Sequence, residues 1–155
     1  GEVQVLLSKR SQQRFAAKIR ELTPRAWGNS LPACIQALNV YLVGWIGFFC
    51  IVTQAAQRTL ELLDGHIRRR LRAIQLKHWK TKQTIARRLA QRGVSRKLAW
   101  QTTYRGRKSL WAQSQSSAIH QALRNAYFAD RGLISLVDQW KQRAKPIVVP
   151  VRAPR

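Results

Sequence analysis

Leu31 through Val52 is a run of 22 residues without a charged side chain, and no other feature of the chain limits its fold as strongly. Such a run either crosses a bilayer, which asks for about 20 apolar residues, or forms a helix enclosed by neighbouring elements. Gln36, Asn39, Gly44 and Gly47 interrupt it, and Pro32 suits the first turn of a helix. Ile35, Leu38, Leu42, Trp45, Ile46 and Phe49 recur at helical spacing and make one stripe. The pattern predicts the central, most buried helix of a bundle, and no membrane span. Cys34 and Cys50 lie in the same region without CxxC spacing or clustered histidines, so they read as reduced core residues with neither a disulfide nor a zinc site.

The flanking segments also carry the period of an all-α fold. Gly1 to Leu7 alternates loosely through Val3, Val5 and Leu7, as a short strand left over from a preceding domain would. Ser8 or Ser11 is a helix cap, Phe15, Ile19 and Leu22 follow at helical spacing, and Thr23-Pro24 is a stop. Arg25 to Ser30, with Gly28 and Asn29, reads as a turn. In the third helix Leu60, Leu63, Ile67, Leu71 and Ile74 form an apolar stripe. Arg68, Arg69 and Arg72 are expected roughly opposite it, with Arg70 at its edge. This helix is expected to continue until Gly93. Shorter helices over Ser95–Thr102, Ser117–Phe128 and Ile134–Lys145 follow, with a basic loop over Tyr104–Lys108. Pro146, Pro150 and Pro154 mark an extended tail.

Charge identifies the partner class. The chain of 155 residues has 29 Lys and Arg against 6 Asp and Glu, a net charge of +23. Residues 1–64 hold 7 basic and 4 acidic side chains, residues 65–155 hold 22 and 2, and no acid occurs from Gly65 through Ala129. A merely solvated surface mixes both signs, and a helix stabilised by its own ion pairs would interleave Glu at i,i+4. A one-sign stretch of this length points to nucleic acid. Trp100, Tyr104, Trp111, Tyr127 and Trp140 lie among these cations, where aromatic rings serve either as core or as stacking partners for unpaired bases.

Catalytic constellations are absent from the spacing. His66, His78 and His120 have no cysteine nucleophile nearby, and the acids are too few and too scattered for a Ser-His-Asp arrangement or a paired-carboxylate site. Gly44 and Gly47 are not followed by the Lys-Ser or Lys-Thr of a phosphate loop. No cofactor is expected.

Several segments in order resemble one family. Ile19-Arg20-Glu21-Leu22-Thr23 with Arg25, Gly28 and Ser30 is similar to the start of the maturase-specific region of group II intron-encoded proteins. The resemblance continues through Leu38 to Trp45, Phe48-Phe49, Asp64, Ile67 to Arg72 and Trp79-Lys80. It resumes at Trp111, Ala122 to Tyr127 and Gly132 to Leu136, and covers about Ser8 to Trp140. Gly65-His66 and Ala112 depart from the family's usual tryptophan and arginine, and Phe48-Phe49 replaces its Tyr-Phe pair.

The resemblance implies a three-helix thumb over residues 8–92, a small basic helical domain over 93–145, and residues 1–7 and 146–155 as a linker and a tail. It implies an upstream reverse-transcriptase palm in a parent RNA-directed DNA polymerase, with retrohoming as the parent's wider activity. This chain itself is expected to be no enzyme, since the Tyr-Ala-Asp-Asp sequence is missing and two-metal chemistry needs gathered acids. The close near Trp140 resembles members without an HNH endonuclease. The implied partners are intron RNA and target DNA, in a bacterial cytoplasm or an organelle and not outside the cell. Arg68, Arg69 and Arg72 are expected on backbone phosphates, Arg105, Arg107 and Lys108 in a groove or at unpaired bases, and Trp111 as a stacking partner. Arg25, Lys77, Lys80, Lys82, Arg87, Arg88 and Arg124 complete the expected RNA surface. Two other classes fit parts of the pattern: a structural RNA binder of ribosomal-protein type explains the charge but not the ordered motifs, and a cationic amphipathic membrane binder explains charge and apolar helix together.

Overall fold

In the computed structural model, which describes residues 7–48, 57–106 and 108–144, the chain is built of helices and no strand occurs among those residues. The strand expected over 1–7, the proline-rich tail, Cys50, Phe49 and Arg107 lie outside the described residues, apart from Leu7. Helix α1 (Lys9–Leu22) starts where the Ser8 hydroxyl accepts the Ser11 amide at 3.1 Å. It stops at Thr23, which precedes proline and is disfavoured in the helical region. Helix α2 (Leu31–Phe48) and helix α3 (Gln57–His78) follow.

All five residues of the expected α3 stripe are buried. The expected rank of burial is corrected, however. Eleven of the 22 residues of α3 are buried against six of the 18 of α2. Lack of charge on α2 does not mean enclosure on all sides: Val40 and Phe48 remain 79% and 83% exposed, and Trp45 is half-buried. By length and composition α2 is apolar enough to cross a membrane. Its Asn39 is nevertheless engaged by protein, donating to the Gly132 carbonyl at 2.6 Å and accepting the Ile134 amide at 3.1 Å.

The third helix does not run on to Gly93. It breaks at Lys80, whose φ of 65° lies in the left-handed region, and the Thr81 hydroxyl restarts the chain by accepting the Thr84 amide at 3.2 Å. Helix α4 is Lys82–Gln91, and α5 (Arg96–Trp100) passes directly into a π-helical turn, Gln101–Arg105, so Tyr104 and Arg105 belong to a helical segment and not to a loop. The single helix expected over 117–128 is two, α7 (Ser117–Ala122) and α8 (Asn125–Ala129), preceded by α6 (Leu110–Gln113) and followed by α9 (Leu136–Ala144).

Polar side chains of α3 hold these short helices by their ends. Arg70 donates to the Thr23 carbonyl at 2.6 Å and the Thr23 hydroxyl at 3.1 Å, closing α1. Arg69 donates to the Trp111 carbonyl at 2.9 Å and the Ser114 hydroxyl at 3.2 Å, closing α6. Arg72 donates to the Leu123 carbonyl at 2.9 Å, closing α7, and to Asn125 Oδ1 at 3.3 Å. Each guanidinium meets carbonyls that the helix leaves unpaired, at the negative end of its dipole. Asp64 does the converse at the start of α9, accepting the Leu136 amide at 2.8 Å, the Val137 amide at 3.2 Å and the Ser135 hydroxyl at 2.9 Å. Burial pushes the Asp64 carboxyl above its usual value, and these hydrogen bonds oppose the rise. One apolar core runs from Leu7 to Trp140, so residues beyond Gly93 share it with α1–α4. Cys34 is a fully buried part of that core, and burial raises its thiol to about 11, which keeps it protonated.

Candidate nucleic-acid interface

With Arg69, Arg70 and Arg72 hydrogen-bonded inside the protein, the expected phosphate triad does not form a surface. Arg72 is 3% exposed. Burial, then Arg68, brings its guanidinium down to about 10, so it stays charged at neutral pH. Arg69 is half-buried and lies 3.7 Å from the Trp111 ring centroid, so this tryptophan, half-buried itself, already carries a guanidinium on one side. The expected exposure of the triad is therefore corrected for Arg72, and Arg69 is committed to α6. Among the described residues Arg68, alone of the three, closes no helix end; it is half-exposed beside a cleft of about 550 Å3 together with His66, His120 and Asn125.

The remaining expected cations are at the surface. Arg25, Lys77, Lys80, Lys82, Arg87, Arg88, Arg105, Lys108 and Arg124 are all exposed. The fold gathers three of them where the α1–α2 turn meets the end of α3. A cleft of about 490 Å3 there is lined by Arg25, Trp27, Gly28, Asn29, Lys77, His78 and Lys80. A second hollow of about 210 Å3 is lined by Arg25, Ala73, Lys77, Leu110 and Trp111. The two share Arg25 and Lys77, so one cationic rim has a tryptophan on either side.

The local sequence explains the geometry. Trp27 is fixed because its Nε1–H donates to the Ser30 carbonyl at 2.9 Å, while its own carbonyl is 2.9 Å from His78 Nε2. The left-handed turn at Lys80 ends α3 beside this cleft instead of extending it. Arg25 stands 5.7 Å from the Trp111 ring centroid, on a ring that Arg69 also approaches.

Little opposes this charge. Among the described residues the ion pairs are Lys18–Glu21 at 3.3 Å and Arg58–Glu61 at 3.8 Å, on α1 and at the start of α3. No group of three or more His, Cys, Asp or Glu side chains is gathered among the described residues. Sequence reasoning missed Trp27 and His78 as cleft residues. The signal for Trp27 was present, because it sits in a turn two residues after Arg25, but it was absent from the aromatics placed among cations. His78 could not have been found, since only the tertiary contact with Trp27 brings it to the turn.

A family model described as the maturase-specific domain of group II introns matches residues 12–93, about half of the chain, from α1 through the end of α4. No curated protein is significantly similar to the chain.

Proposed function

The chain belongs to the family of group II intron maturase-specific domains, whose role is in splicing, and from that premise we propose that it binds intron RNA through the paired clefts around Arg25 and Lys77. The maturase-specific domain is not itself a catalytic domain, and no reaction is assigned to this chain. The observation that carries the proposal is the shared rim: Arg25 and Lys77 border two hollows, each with a tryptophan, and Lys80 lies beside the first. Cations on the rim neutralise backbone phosphates, and the hollows are apolar enough to receive bases that are not paired. Duplex RNA offers such a surface only phosphates and 2′-hydroxyls, so folded RNA with loops or bulges is the favoured ligand. Binding of this kind steadies the intron fold in which splicing occurs.

The wider role proposed is that of a parent protein in which a reverse-transcriptase palm precedes this region, in a bacterial cytoplasm or an organelle. There the same basic surface contacts target DNA during retrohoming.

The test is a comparison at equal charge loss. Arg25→Ala/Lys77→Ala/Lys80→Ala is set against Lys9→Ala/Arg10→Ala/Arg14→Ala, whose cations are exposed on α1. Each phosphate contact contributes about 0.7–0.9 to the slope of log affinity against log salt. The cleft triple is expected to lower that slope by about 2 and to weaken intron RNA binding severalfold more than the α1 triple. Equal losses from the two triples would mean that net charge alone binds RNA, and the assignment would fall. Tight binding to anionic vesicles that structured RNA does not displace would favour a membrane role instead.

A further inference from the structure

Trp100 and Tyr104 are 47% and 42% exposed, and they lie past the residues that the family model matches. Their rings stack on each other with centroids 5.4 Å apart and planes 30° apart. The π-helical turn Gln101–Arg105 carries the chain directly on from α5 and places them so. Such turns are rare and concentrate at functional sites. Gly106 ends the turn, and a Cβ at that position would collide with the Thr102 carbonyl oxygen, so the sharp exit admits glycine alone. The pair is bordered by cations. Arg105 is 5.1 Å from the Trp100 ring centroid and Lys82 is 6.0 Å from that of Tyr104. Trp100 also forms one wall of a groove of about 600 Å3 between α4 and α5, which Arg87 and Arg96 line.

We propose that the Trp100–Tyr104 pair is a stacking platform for an unpaired nucleobase, with Arg87 and Arg96 in the adjoining groove holding the phosphates beside it. A packing role would have buried these rings as it buries Phe15 and Phe128. Four cations border the pair and its groove, whose floor is Ala86, Ala90, Gln91 and Val94, and that combination of an aromatic face with flanking charge suits a base and its phosphates. An aromatic face accepts any base, and Arg or Lys beside it supplies the backbone contact, so the platform selects single strands over duplex without reading sequence. It extends the RNA reading above and rests on it. The base can belong to RNA or to a single DNA strand, since the chemistry of the stacked face is shared.

The experiment measures binding of the whole chain to a labelled oligouridine RNA, an oligothymidine DNA of equal length and a blunt RNA duplex of matched charge. Trp100→Ala/Tyr104→Ala is expected to weaken binding to the single strands by about tenfold and binding to the duplex by less than about twofold, with unchanged circular dichroism. Trp100→Phe/Tyr104→Phe, which keeps two stacking rings, should retain most of the single-strand affinity. Equal losses on single strand and duplex, or none on either, overturn the platform. So does a phenylalanine pair as weak as the alanine pair. A loss confined to RNA assigns the base to RNA, and one shared with DNA assigns the platform to either strand. If the cleft triple weakens intron RNA binding and the Trp100/Tyr104 change does not, this inference fails while the broader reading stands. If neither change matters, both fail.

Discussion

Replacing Arg72 with alanine asks whether the arginine cluster of α3 holds helices or holds RNA. Its guanidinium donates at 2.9 Å to the carbonyl of Leu123, the residue that caps the C-terminus of α7, and at 3.3 Å to Asn125 Oδ1 at the start of α8. Hydrogen bonds from a charged donor contribute about 1.5–3 kcal/mol each, and the longer one counts toward the lower end. Truncation also leaves the carbonyl of Leu123, a fully buried residue, without this donor. Against these losses, removing a buried guanidinium returns part of its desolvation, so the net destabilisation is about 2–3 kcal/mol. In a domain of this size that lowers the midpoint of thermal unfolding by roughly 5–10 °C. The measurement is melting followed by far-ultraviolet circular dichroism, with RNA affinity taken well below both midpoints. Arg72→Met, which restores the apolar stem but no donor, should fall between alanine and the native residue. If Arg72→Ala melts like the native chain yet loses as much RNA affinity as Arg25→Ala/Lys77→Ala/Lys80→Ala, the guanidinium serves RNA and the capping account is wrong.

Asp64→Ala removes the acceptor for the Leu136 and Val137 amides and for the Ser135 hydroxyl. It should destabilise the chain by about 3 kcal/mol and open the segment before α9 to limited proteolysis, with Asp64→Asn milder because it keeps one acceptor oxygen; unchanged protease resistance would sink this account. His66 and His120 make stability depend on pH. Burial first, and then nearby arginines (Arg70, Arg20 and Arg69 for His66; Arg72 and Arg68 for His120), hold both imidazoles below 6.5. The unfolded imidazoles take up protons near 6.5 and the folded ones resist, so between the lowered folded values and 6.5 the unfolded state holds more protons. Stability is therefore full above that window and declines as pH falls through it. His66→Gln/His120→Gln should flatten the decline in melting midpoint on acidification, and an unaltered slope would place its origin in other groups.

Much of the architecture was legible because its causes are local. Ser8 and Ser95 each accept the amide three residues on, and such caps are written in four consecutive residues. The stripe Leu60, Leu63, Ile67, Leu71 and Ile74 fixed which face of α3 turns inward, since the helical repeat alone sets those directions. Arg25, Lys77, Lys80, Lys82, Arg87 and Arg88 are exposed, as cations with no acid beside them are expected to be. Periodicity failed where a helix has neighbours on more than one side. The angle of Arg72 around α3 was read as outward, but α7 and α8 cover that side. The break at Lys80 was missed because lysine is a good helix former, and only its left-handed backbone reveals the turn.

Composition and short-range spacing called for helices and a strongly cationic surface, and the ordered motifs placed the chain in a family. Tertiary structure alone decided which cations remain for a ligand. A guanidinium offers the same donors to a phosphate oxygen as to the unpaired carbonyl at the end of a helix, so nothing in the run Arg68-Arg69-Arg70-Leu71-Arg72 distinguishes the two uses. Arg69, Arg70 and Arg72 bond to residues 42, 47 and 51 positions away. Arg25 and Lys77 become neighbours on one rim through packing of the α1–α2 turn against the end of α3. The distances that commit one set to the fold and leave the other in solvent exist only once the chain has folded.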